Sequence, residues 1–336
     1  KTPLHKICPG FLSKFSQDDD TQDQAKKLTA WHVLSHTTGL PIKQQEGELL
    51  KFQFEPGTEY GYSNSGIALL QETIDKVTGS NLQALAKSNV FTPLGMTNTN
   101  FLPPEYLSSA KLNDASLAQI QATNSVHTTA TDYARFIAGW VREMELPGKE
   151  ILKQAFEGQI SMQTDRWAAG QGLSEEDRKK VAWGLGVGLQ VQAQADGSVK
   201  STRAFHSADM DNWRAFVAID LETKKGIVFL SNSPNGLLLA DKIISPNVEL
   251  NDGLKYVFEK YGFARKIEFG WKEKQIDRVC KIIVKNEINL ADLQDKGLLK
   301  IDDHKGLCTL DIKCNPDHSL LNRVIKKEFD HFKEVN

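Results

Sequence analysis

Apolar residues at helical spacing mark the best-defined element in the first half of the chain. Four of them would share one face of a helix: Ile67, Leu70, Ile74 and Val77. Gly79 follows directly, where a left-handed C-terminal cap belongs. We therefore predict a helix that begins at Ser65 and ends before Gly79, with the three preceding residues exposed in a loop.

Two other segments have helical patterns ahead of and behind this element. Thr29 can cap a short helix through Leu34 that Gly39 ends, whereas the three aspartates at 18–20 are typical of a solvated turn. A further helix covers approximately residues 82–91.

A capping box marks the start of another helix. Thr129 and Asp132 have the spacing of that motif, and they precede an apolar helical pattern that includes Phe136 and Trp140. The first 200 residues are therefore predicted to combine helices with long loops.

After Trp183 the apolar period changes from that of a helix to that of a strand. Alternate positions are apolar over 185–191, and Asp196 with Gly197 offers a hairpin turn. Further strands are predicted around Phe205, at 216–219 and at 227–230. Such closely spaced strands predict an antiparallel meander. The fold class is therefore mixed α/β (α+β), an antiparallel sheet flanked by helices.

The remainder of the chain is predicted to form a separate C-terminal extension at 264–336, after a main domain at 1–263. Helical material reaches about Phe263, and the extension contains two strands and an amphipathic closing helix, at 298–301, 308–312 and 318–335. The closing helix either packs on its own domain or docks a partner.

Composition excludes several classes of function. Forty-one basic and 43 acidic residues give a net charge of -2, which argues against nucleic acid as a partner. No apolar run reaches the roughly 18 residues that a membrane span needs. The residues after Lys1 lack the apolar core of a secretory signal, so we expect a targeting segment to be absent or removed.

The cysteines give no zinc spacing. Cys8 and Cys280 stand far from the other two, whereas Cys308 and Cys314 are close enough in sequence to pair. Free thiols are the favoured interpretation, and a bond between Cys308 and Cys314 is the alternative.

Three short motifs follow one another between Phe54 and Met96. They are Phe-Glu-Pro-Gly at 54–57, Tyr-Ser-Asn at 62–64 and Pro-Leu-Gly-Met at 93–96. Their order resembles that of the serine β-lactamases and penicillin-binding proteins. Three longer segments are similar to blocks of class C β-lactamases, also in order: 29–40, 128–136 and 184–189. Each motif alone is weak, but the shared order makes the resemblance specific. It extends from residue 1 to about residue 235.

The resemblance implies a β-lactamase/transpeptidase-like fold and a serine hydrolase. Such an enzyme would cleave an amide or ester, for example a β-lactam, a D-amino-acid peptide or a small ester, through an acyl-enzyme. No cofactor or metal is implied, the partner is a small-molecule or peptide substrate, and family analogy favours a periplasmic or secreted protein. A second hypothesis is an inactive member that binds cell-wall peptide or a protein partner without turnover.

Within this resemblance Tyr62 corresponds to the base that takes a proton from the serine and later returns it. A phenol with an ordinary pKa near 10 acts as a base only beside a cation, which the family supplies as a lysine. Taken alone, a tyrosine before a helix is usually a packed aromatic residue with a satisfied hydroxyl, and only the surrounding motifs favour a site position for Tyr62. Asn64 corresponds to the asparagine that hydrogen-bonds the substrate amide, and the alternative for it is an ordinary helix cap.

His206, Ser207 and Ala208 correspond by position to the family's Lys-Thr-Gly or His-Thr-Gly triplet on an edge strand. The first residue gives positive charge or a hydrogen bond, the second contacts the substrate, and the third is small so that a substrate backbone can approach. Ala208 departs from glycine. By the same resemblance, the amide of Asp209 forms half of the oxyanion hole. The alternative for His206 is a structural histidine.

Asp209 and Asp211 conflict with the family pattern of small neutral residues. Two carboxylates beside the site would repel an oxyanion and a substrate carboxylate. Three explanations follow: the side chains point away, the substrate carries no carboxylate, or the site is inactive.

The family's Ser-x-x-Lys motif, which carries the nucleophile, comes before the tyrosine. The literal match here, Ser108 to Lys111, follows Tyr62 in a predicted surface loop, and we reject it. We expect the nucleophilic serine and its lysine upstream of Lys1.

His32 and His36 are four residues apart on a predicted helix, a spacing that can bind a metal. No third ligand accompanies them in the sequence pattern, and the resemblance implies a structural role instead.

Overall fold

A computed structural model describes residues 1–102, 118, 120–165, 174–210 and 213–232, and the backbone of three strands at 266–270, 299–302 and 307–311. The chain divides into two compact units. The first comprises Lys1–Ala208, Ala215–Leu230 and Ile243–Leu254, and the second comprises Asp209–Arg214, Ser231–Lys242 and Lys255–Asn336. The domain boundary at 263 stays a prediction.

The first unit contains most of the described helices. The α-helices are α1 (Asp19–Lys27), α2 (Ala30–Leu34), α3 (Asn64–Thr78), α4 (Leu82–Ala86), α5 (Ala130–Glu143), α6 (Glu150–Ala155) and α7 (Glu175–Lys179). Short 3₁₀ segments lie at Leu4–Lys6, Phe11–Lys14 and Met162–Thr164, and a π-helical turn at Lys87–Phe91 continues α4. The helices predicted from Thr29, from Ser65, at 82–91 and from Thr129 are therefore all present. Gly79 ends α3 with a left-handed φ of 66°, as expected.

Two predicted details of the helices are wrong. The aspartates at 18–20 are not a turn, because the Asp18 carboxylate caps α1 by accepting the Thr21 N–H at 2.9 Å. Acidic residues favour a helix N-terminus through the helix dipole, which explains why the run starts a helix. Helix α2 also stops at Leu34, well before Gly39.

Six strands form one sheet in chain order, which confirms the antiparallel meander. They are β1 (Ile160–Ser161), β2 (Val181–Trp183), β3 (Gly188–Ala193), β4 (Val199–Met210), β5 (Trp213–Asp220) and β6 (Gly226–Asn232). The first three pairings along the sheet, from β1 to β4, are antiparallel in the described register. Gly197, with φ of 83°, lies in the predicted hairpin turn between β3 and β4.

The alternating pattern at 185–191 predicts a strand that begins at 185, whereas β3 begins only at Gly188. Residues 184–187 form a turn, in which the Gly184 N–H bonds the Val187 carbonyl at 2.8 Å. The Gly186 N–H bonds the last carbonyl of α2, that of Leu34, at 2.8 Å. The turn thereby fixes Trp183, the last residue of β2, close to the end of α2.

The second unit contains a three-stranded antiparallel sheet. Its strands, in spatial order, are β7 (Lys266–Gly270), β9 (Leu307–Asp311) and β8 (Leu299–Asp302). Strands β8 and β9 confirm the two predicted at 298–301 and 308–312, and β7 was not predicted. The helices predicted up to Phe263 and at 318–335 lie outside the described residues.

The main core lies between the sheet and α5. Strand residues that face the helix are fully or nearly fully buried, and they include Leu189, Ala204 and Val217. Ile137 and Val141 of α5 pack against them. Burial of each leucine, isoleucine or valine side chain in this cluster contributes about 1.5–3 kcal/mol, so the cluster holds the sheet to α5.

A second core cluster packs the N-terminal segment and α2 against α3, with Leu4, Phe15, Val33 and Leu69 among its buried members. Cys8 in this cluster is a buried free thiol, as predicted. None of the described helices is both long and apolar enough to cross a membrane.

Asp132 is fully buried at the start of α5, and its carboxylate bonds residues outside the helix rather than completing the predicted capping box. The Thr129 hydroxyl accepts the Asp132 N–H at 3.2 Å, as the motif requires. The Asp132 carboxylate instead accepts the Asn98 N–H at 2.7 Å and the Thr99 hydroxyl at 3.1 Å, and pairs with Arg135 at 2.7 Å. It therefore fixes the segment after the Pro-Leu-Gly-Met motif to α5.

Candidate active site

The Tyr-Ser-Asn triplet lies at the N-terminus of α3 and is fixed by its middle residue. The Ser63 hydroxyl accepts the Gly66 N–H at 2.9 Å and so caps the helix. It also donates to the Pro41 carbonyl at 2.8 Å. Ser63 is buried, whereas Tyr62 and Asn64 on either side are half-buried. The triplet thus presents two side chains around one structural serine.

Asn64 is the first residue of α3 and not its cap. Its backbone N–H bonds the Ile42 carbonyl at 3.0 Å, and the cap is Ser63. The alternative interpretation of Asn64 as an ordinary helix cap is therefore wrong. Within the described part of the chain its side-chain amide has no hydrogen-bond partner, so the amide is available to a substrate.

The turn at 35–40 holds the loop that leads into the triplet. The Thr37 carbonyl accepts the Gly57 N–H at 2.7 Å, and the Gly39 carbonyl accepts the Gln53 N–H at 2.7 Å. Gly39 has a φ of 76°, in the left-handed region that favours glycine. Two blocks that resemble the family at the sequence level, 29–40 and 54–57, are thus one hydrogen-bonded structure.

Five rings form an aromatic cluster next to the triplet: Tyr60, Tyr62, His36, Trp183 and His206. His36 lies closest to Tyr62, with ring centroids 4.3 Å apart. The Trp183 indole contacts Tyr62 at 6.4 Å between centroids and His206 at 5.6 Å. Tyr62 and His206, which the resemblance assigns to one site, therefore contact the same tryptophan.

His206, Ser207 and Ala208 lie on β4 beyond the end of β3. Among the described residues, the pairing of β4 with β3 ends at Phe205, which stands opposite Gly188. Residues 206–208 therefore have an unpaired edge on that side, which can accept an extended peptide as a further strand. His206 and Ser207 are half-buried, and Ala208 is exposed.

The two histidines of the cluster are neutral near pH 7. Burial, together with the neighbouring His206, lowers the pKa of His36 to about 3. Burial also lowers the pKa of His206, although its hydrogen bond to the Ser207 carbonyl acts in the opposite sense. In that bond the His206 Nδ1–H donates to the carbonyl at 2.9 Å. The Nε2 atom of His206 is therefore a hydrogen-bond acceptor rather than part of a cation.

Burial also shapes the chemistry of Tyr62. It raises the pKa of the phenol above its usual value of 10.0, and it is the one cause of a shift among the described residues. The Tyr62 hydroxyl has no hydrogen-bond partner in the part of the chain that the structure describes. A phenol in this environment becomes a base only when a cation approaches it.

We expect the free energy of unfolding to decrease between pH 6.5 and pH 5. Histidine in the unfolded chain has a pKa near 6.5, whereas that of His36 in the fold is about 3, so protons bind the unfolded state first. Each pH unit below 6.5 then costs about 1.4 kcal/mol, or roughly 2 kcal/mol at pH 5. His206, with its lowered pKa, adds to the loss. Urea unfolding at pH 7 and pH 5 measures the difference.

The control for this pH effect is His36→Asn, which has no titrating ring at that position. Its loss between pH 7 and pH 5 should be smaller than that of the parent chain by about 2 kcal/mol. An equal loss in both proteins would assign the effect to another group.

Asp209 is the remaining predicted site residue and lies in the second unit. Its exposed carboxylate pairs with Arg214 at 2.7 Å, so its negative charge is compensated locally. Asp211 and the rejected pair of Ser108 and Lys111 lie outside the described residues.

His32 and His36 do not share a ligand. The His32 Nδ1 atom accepts the Thr29 N–H at 3.1 Å as part of the capping box of α2. The His36 Nδ1 atom accepts the Ser63 N–H at 3.2 Å. Both histidines thus have structural partners, and the described residues contain no group of three or more side chains suited to a metal ion.

A sequence model of the Beta-lactamase family matches residues 1–243 of the chain. The chain belongs to the β-lactamase family. The match covers both halves of the candidate site, the triplet at 62–64 and the strand residues 206–208, and so extends the resemblance in the short motifs to a continuous domain.

Individual relatives of this β-lactamase-family chain match over shorter stretches. An Escherichia coli K12 protein that carries the provisional name D-alanyl-D-alanine carboxypeptidase is 25% identical over 136 residues, which are 33% of this chain and 31% of that protein. A penicillin-binding protein of Bacillus subtilis 168 is 30% identical over 93 residues, 21% of each chain. The chain therefore spans less than a third of the length of these curated relatives.

Among solved structures, a D-stereospecific amidohydrolase from Streptomyces sp. has a similar fold. It aligns with a TM-score of 0.52 at 16% identity, over 74% of this chain and 78% of that one. This agrees with the mixed helix and antiparallel-sheet fold of the β-lactamases and transpeptidases.

Sequence reasoning did not identify three residues of the cluster as parts of the site, namely His36, Tyr60 and Trp183. His36 was interpreted only through its spacing to His32, and its bonds to the triplet depend on the fold. Trp183 directly precedes the Gly-Leu-Gly-Val-Gly-Leu block at 184–189, and this adjacency is the signal that could have pointed to it.

Proposed function

We propose that the protein is a serine hydrolase that cleaves an amide or ester through an acyl-enzyme, with Tyr62 as the base. Asn64, His206 and Ser207 hold the substrate in this proposal, and the Asp209 amide forms part of the oxyanion hole. The observation that carries it is the contact of the Tyr62 and His206 rings with the single Trp183 indole, beside a strand edge that β3 leaves unpaired within the described residues.

The role of Tyr62 is proton transfer in both half-reactions. Its phenolate Oη accepts the proton of the serine hydroxyl while the serine oxygen bonds to the substrate carbonyl carbon. The phenol then gives this proton to the leaving amine or alcohol as the carbonyl–heteroatom bond breaks. In the second half, Oη accepts a proton from the attacking water, and the proton returns to the serine oxygen when the acid leaves.

A cation beside Tyr62 is needed because burial raises the pKa of its phenol. In the Ser-x-x-Lys motif of the family, the lysine supplies this charge. The proposal takes both the serine and the lysine from a segment that precedes Lys1, since that motif precedes the tyrosine in the resembling proteins. Ser108 and Lys111 follow Tyr62 and do not fit this order.

The substrate class is an amide or ester that can lie along the edge at 206–208. The Asn64 side-chain amide, which has no partner among the described residues, supports recognition of a substrate amide, and neutral His206 would accept a hydrogen bond through Nε2. The name of the Escherichia coli relative supports a peptide that ends in D-amino acids, and β-lactams and small esters are the other members of the class.

The second candidate function is binding of cell-wall peptide or a protein partner without turnover. Two observations favour it: Ala208 stands where the family has glycine, and His206 is neutral where the family often has a lysine cation. A peptide can still bind along the strand edge with these residues, but the site stabilises an oxyanion less well.

Labelling of the protein expressed from its complete reading frame tests the proposal. A fluorescent penicillin and a fluorophosphonate are each incubated with the protein, and mass spectrometry locates the adduct. We expect at least one reagent to form one adduct per chain, on a serine that is followed three residues later by lysine. A folded protein that reacts with neither reagent would contradict the enzyme proposal and favour binding.

A further inference from the structure

His36 has a backbone conformation that few residues with a Cβ atom adopt. Its φ of 52° lies in the left-handed region, and only Lys224 shares this property among the described non-glycine residues. His36 is also buried, with 3% of its surface exposed. A buried residue held in such a conformation is characteristic of positions where the surrounding structure imposes a specific geometry.

His36 forms hydrogen bonds with both sequence neighbours of Tyr62. The Gly61 N–H donates to the His36 carbonyl at 2.8 Å, and the Ser63 N–H donates to the His36 Nδ1 atom at 3.2 Å. The residues immediately before and after Tyr62 are thus bonded to the same histidine. The imidazole also packs on the phenol ring, with centroids 4.3 Å apart and planes inclined by 39°.

We propose that His36 is a positioning residue that holds the Tyr62 phenol in its reactive orientation through two hydrogen bonds and one ring contact. The inference rests on the proposed function of Tyr62. His36 would not touch the substrate but would affect the reaction by fixing Tyr62. An error of about 1 Å in the position of a catalytic group can reduce a rate by about a hundredfold, so a backbone held on both sides has a kinetic consequence.

The side-chain bond requires one form of the imidazole. Because a backbone N–H always donates, the Nδ1 atom must carry a lone pair, and the proton of neutral His36 lies on Nε2. The left-handed φ turns the side chain back toward the triplet, while the carbonyl points to Gly61. In this conformation one residue makes both bonds.

Two substitutions separate the hydrogen bond from the ring contact. In His36→Asn the side-chain oxygen takes the place of Nδ1 as acceptor, and asparagine tolerates a positive φ well. In His36→Phe the ring remains and the acceptor is lost. Phenylalanine adopts a positive φ less readily than histidine. The Gly61 amide, which bonds the carbonyl of residue 36, therefore reports any backbone change in His36→Phe, and the Ser63 amide reports loss of the acceptor.

The first measurement is amide hydrogen exchange of Ser63 by NMR in the full protein. We expect strong protection in the parent protein, similar protection in His36→Asn and exchange at least tenfold faster in His36→Phe. This readout does not depend on activity, so it decides the proposal even if the protein proves not to be a hydrolase. A Ser63 amide in the folded parent protein that exchanges as fast as an exposed amide would overturn it, whether or not the variants fold.

The second measurement is the steady-state kinetics of an ester or penicillin substrate that labels the parent protein. We expect kcat of His36→Phe to fall at least 50-fold with KM changed less than threefold, and His36→Asn to retain at least a tenth of the parent kcat. Equal kcat values for the two variants would show that the acceptor has no positioning role. Inactivity of the parent protein itself would count against the proposed function and leave the exchange result to decide the role of His36.

Discussion

Replacement of Tyr62 by phenylalanine is expected to slow acylation at least a hundredfold while leaving the melting temperature within about 2 °C. Removal of a general base typically costs between about 10² and 10⁴ in rate. The Tyr62 hydroxyl has no partner among the described residues, so its loss breaks no hydrogen bond in that part of the fold. Stopped-flow measurement of acylation by a fluorescent penicillin or an activated ester provides the rate.

A matched control for this substitution is Tyr133→Phe, on α5. Tyr133 is also a phenol whose pKa is raised by burial, and its ring stacks on Phe136 at 5.8 Å, away from the aromatic cluster. We expect its acylation rate to stay within threefold of the parent value. If Tyr62→Phe and Tyr133→Phe behaved alike, Tyr62 would be a packed aromatic residue and another group would serve as base.

Substitution of Gly39 by alanine is expected to destabilise the fold by about 3 kcal/mol. This loss has two sources: the left-handed backbone at residue 39 and a steric overlap of the new Cβ atom with Phe54. A Cβ atom at Gly39 would overlap the carbonyl oxygen of Phe54, and its φ of 76° is itself unfavourable for alanine. The backbone of Phe54 cannot move freely, because the adjacent Gln53 N–H bonds the Gly39 carbonyl. Urea unfolding provides the free energy.

Gly47→Ala separates the two contributions to this loss. Gly47 has nearly the same φ, 77°, but no described atom lies within 4 Å of a Cβ at that position. We expect a loss of only about 1 kcal/mol, from the backbone conformation alone. Equal losses in the two variants would mean that the turn at 35–40 does not hold the loop against Phe54.

Local patterns in the sequence predicted most of the first unit because helices and hairpins depend on nearby residues. Helix α3, with its apolar face and Gly79 cap, and the hairpin at Gly197 are examples. The errors arise where local and distant interactions compete. Residues 184–187 carry a strand pattern, yet Gly186 bonds the end of α2, and the chain turns there.

The same distinction holds for the candidate site: short motifs identify some of its residues, whereas others join it only through the fold. Tyr62, Asn64 and His206 were predicted because the resemblance assigns roles to positions in short motifs. The resemblance also implied that they lie near one another, but the rings that connect them, Trp183 and His36, belong to other segments of the chain and could not be predicted. A buried residue with a left-handed φ, such as His36, has no signature in the sequence when it is not glycine.

Neutral His206 gives the site a different electrostatic character from one that contains a lysine at this position. In the proposed site, the absence of a fixed positive charge there would weaken the attraction for a substrate carboxylate, and hydrogen bonds to the strand edge would carry more of the recognition. The ion pair between Asp209 and Arg214 also means that the unusual carboxylate does not act as an isolated charge.

The central claim is that Tyr62 and residues 206–208 face one substrate site, joined through Trp183. A crystal structure of the full protein after treatment with a fluorophosphonate tests it most directly. We expect a phosphonylated serine whose adduct lies between the Tyr62 hydroxyl and the edge of β4 at 206–208. An adduct remote from both groups, or Tyr62 and His206 opening onto separate surfaces, would contradict it.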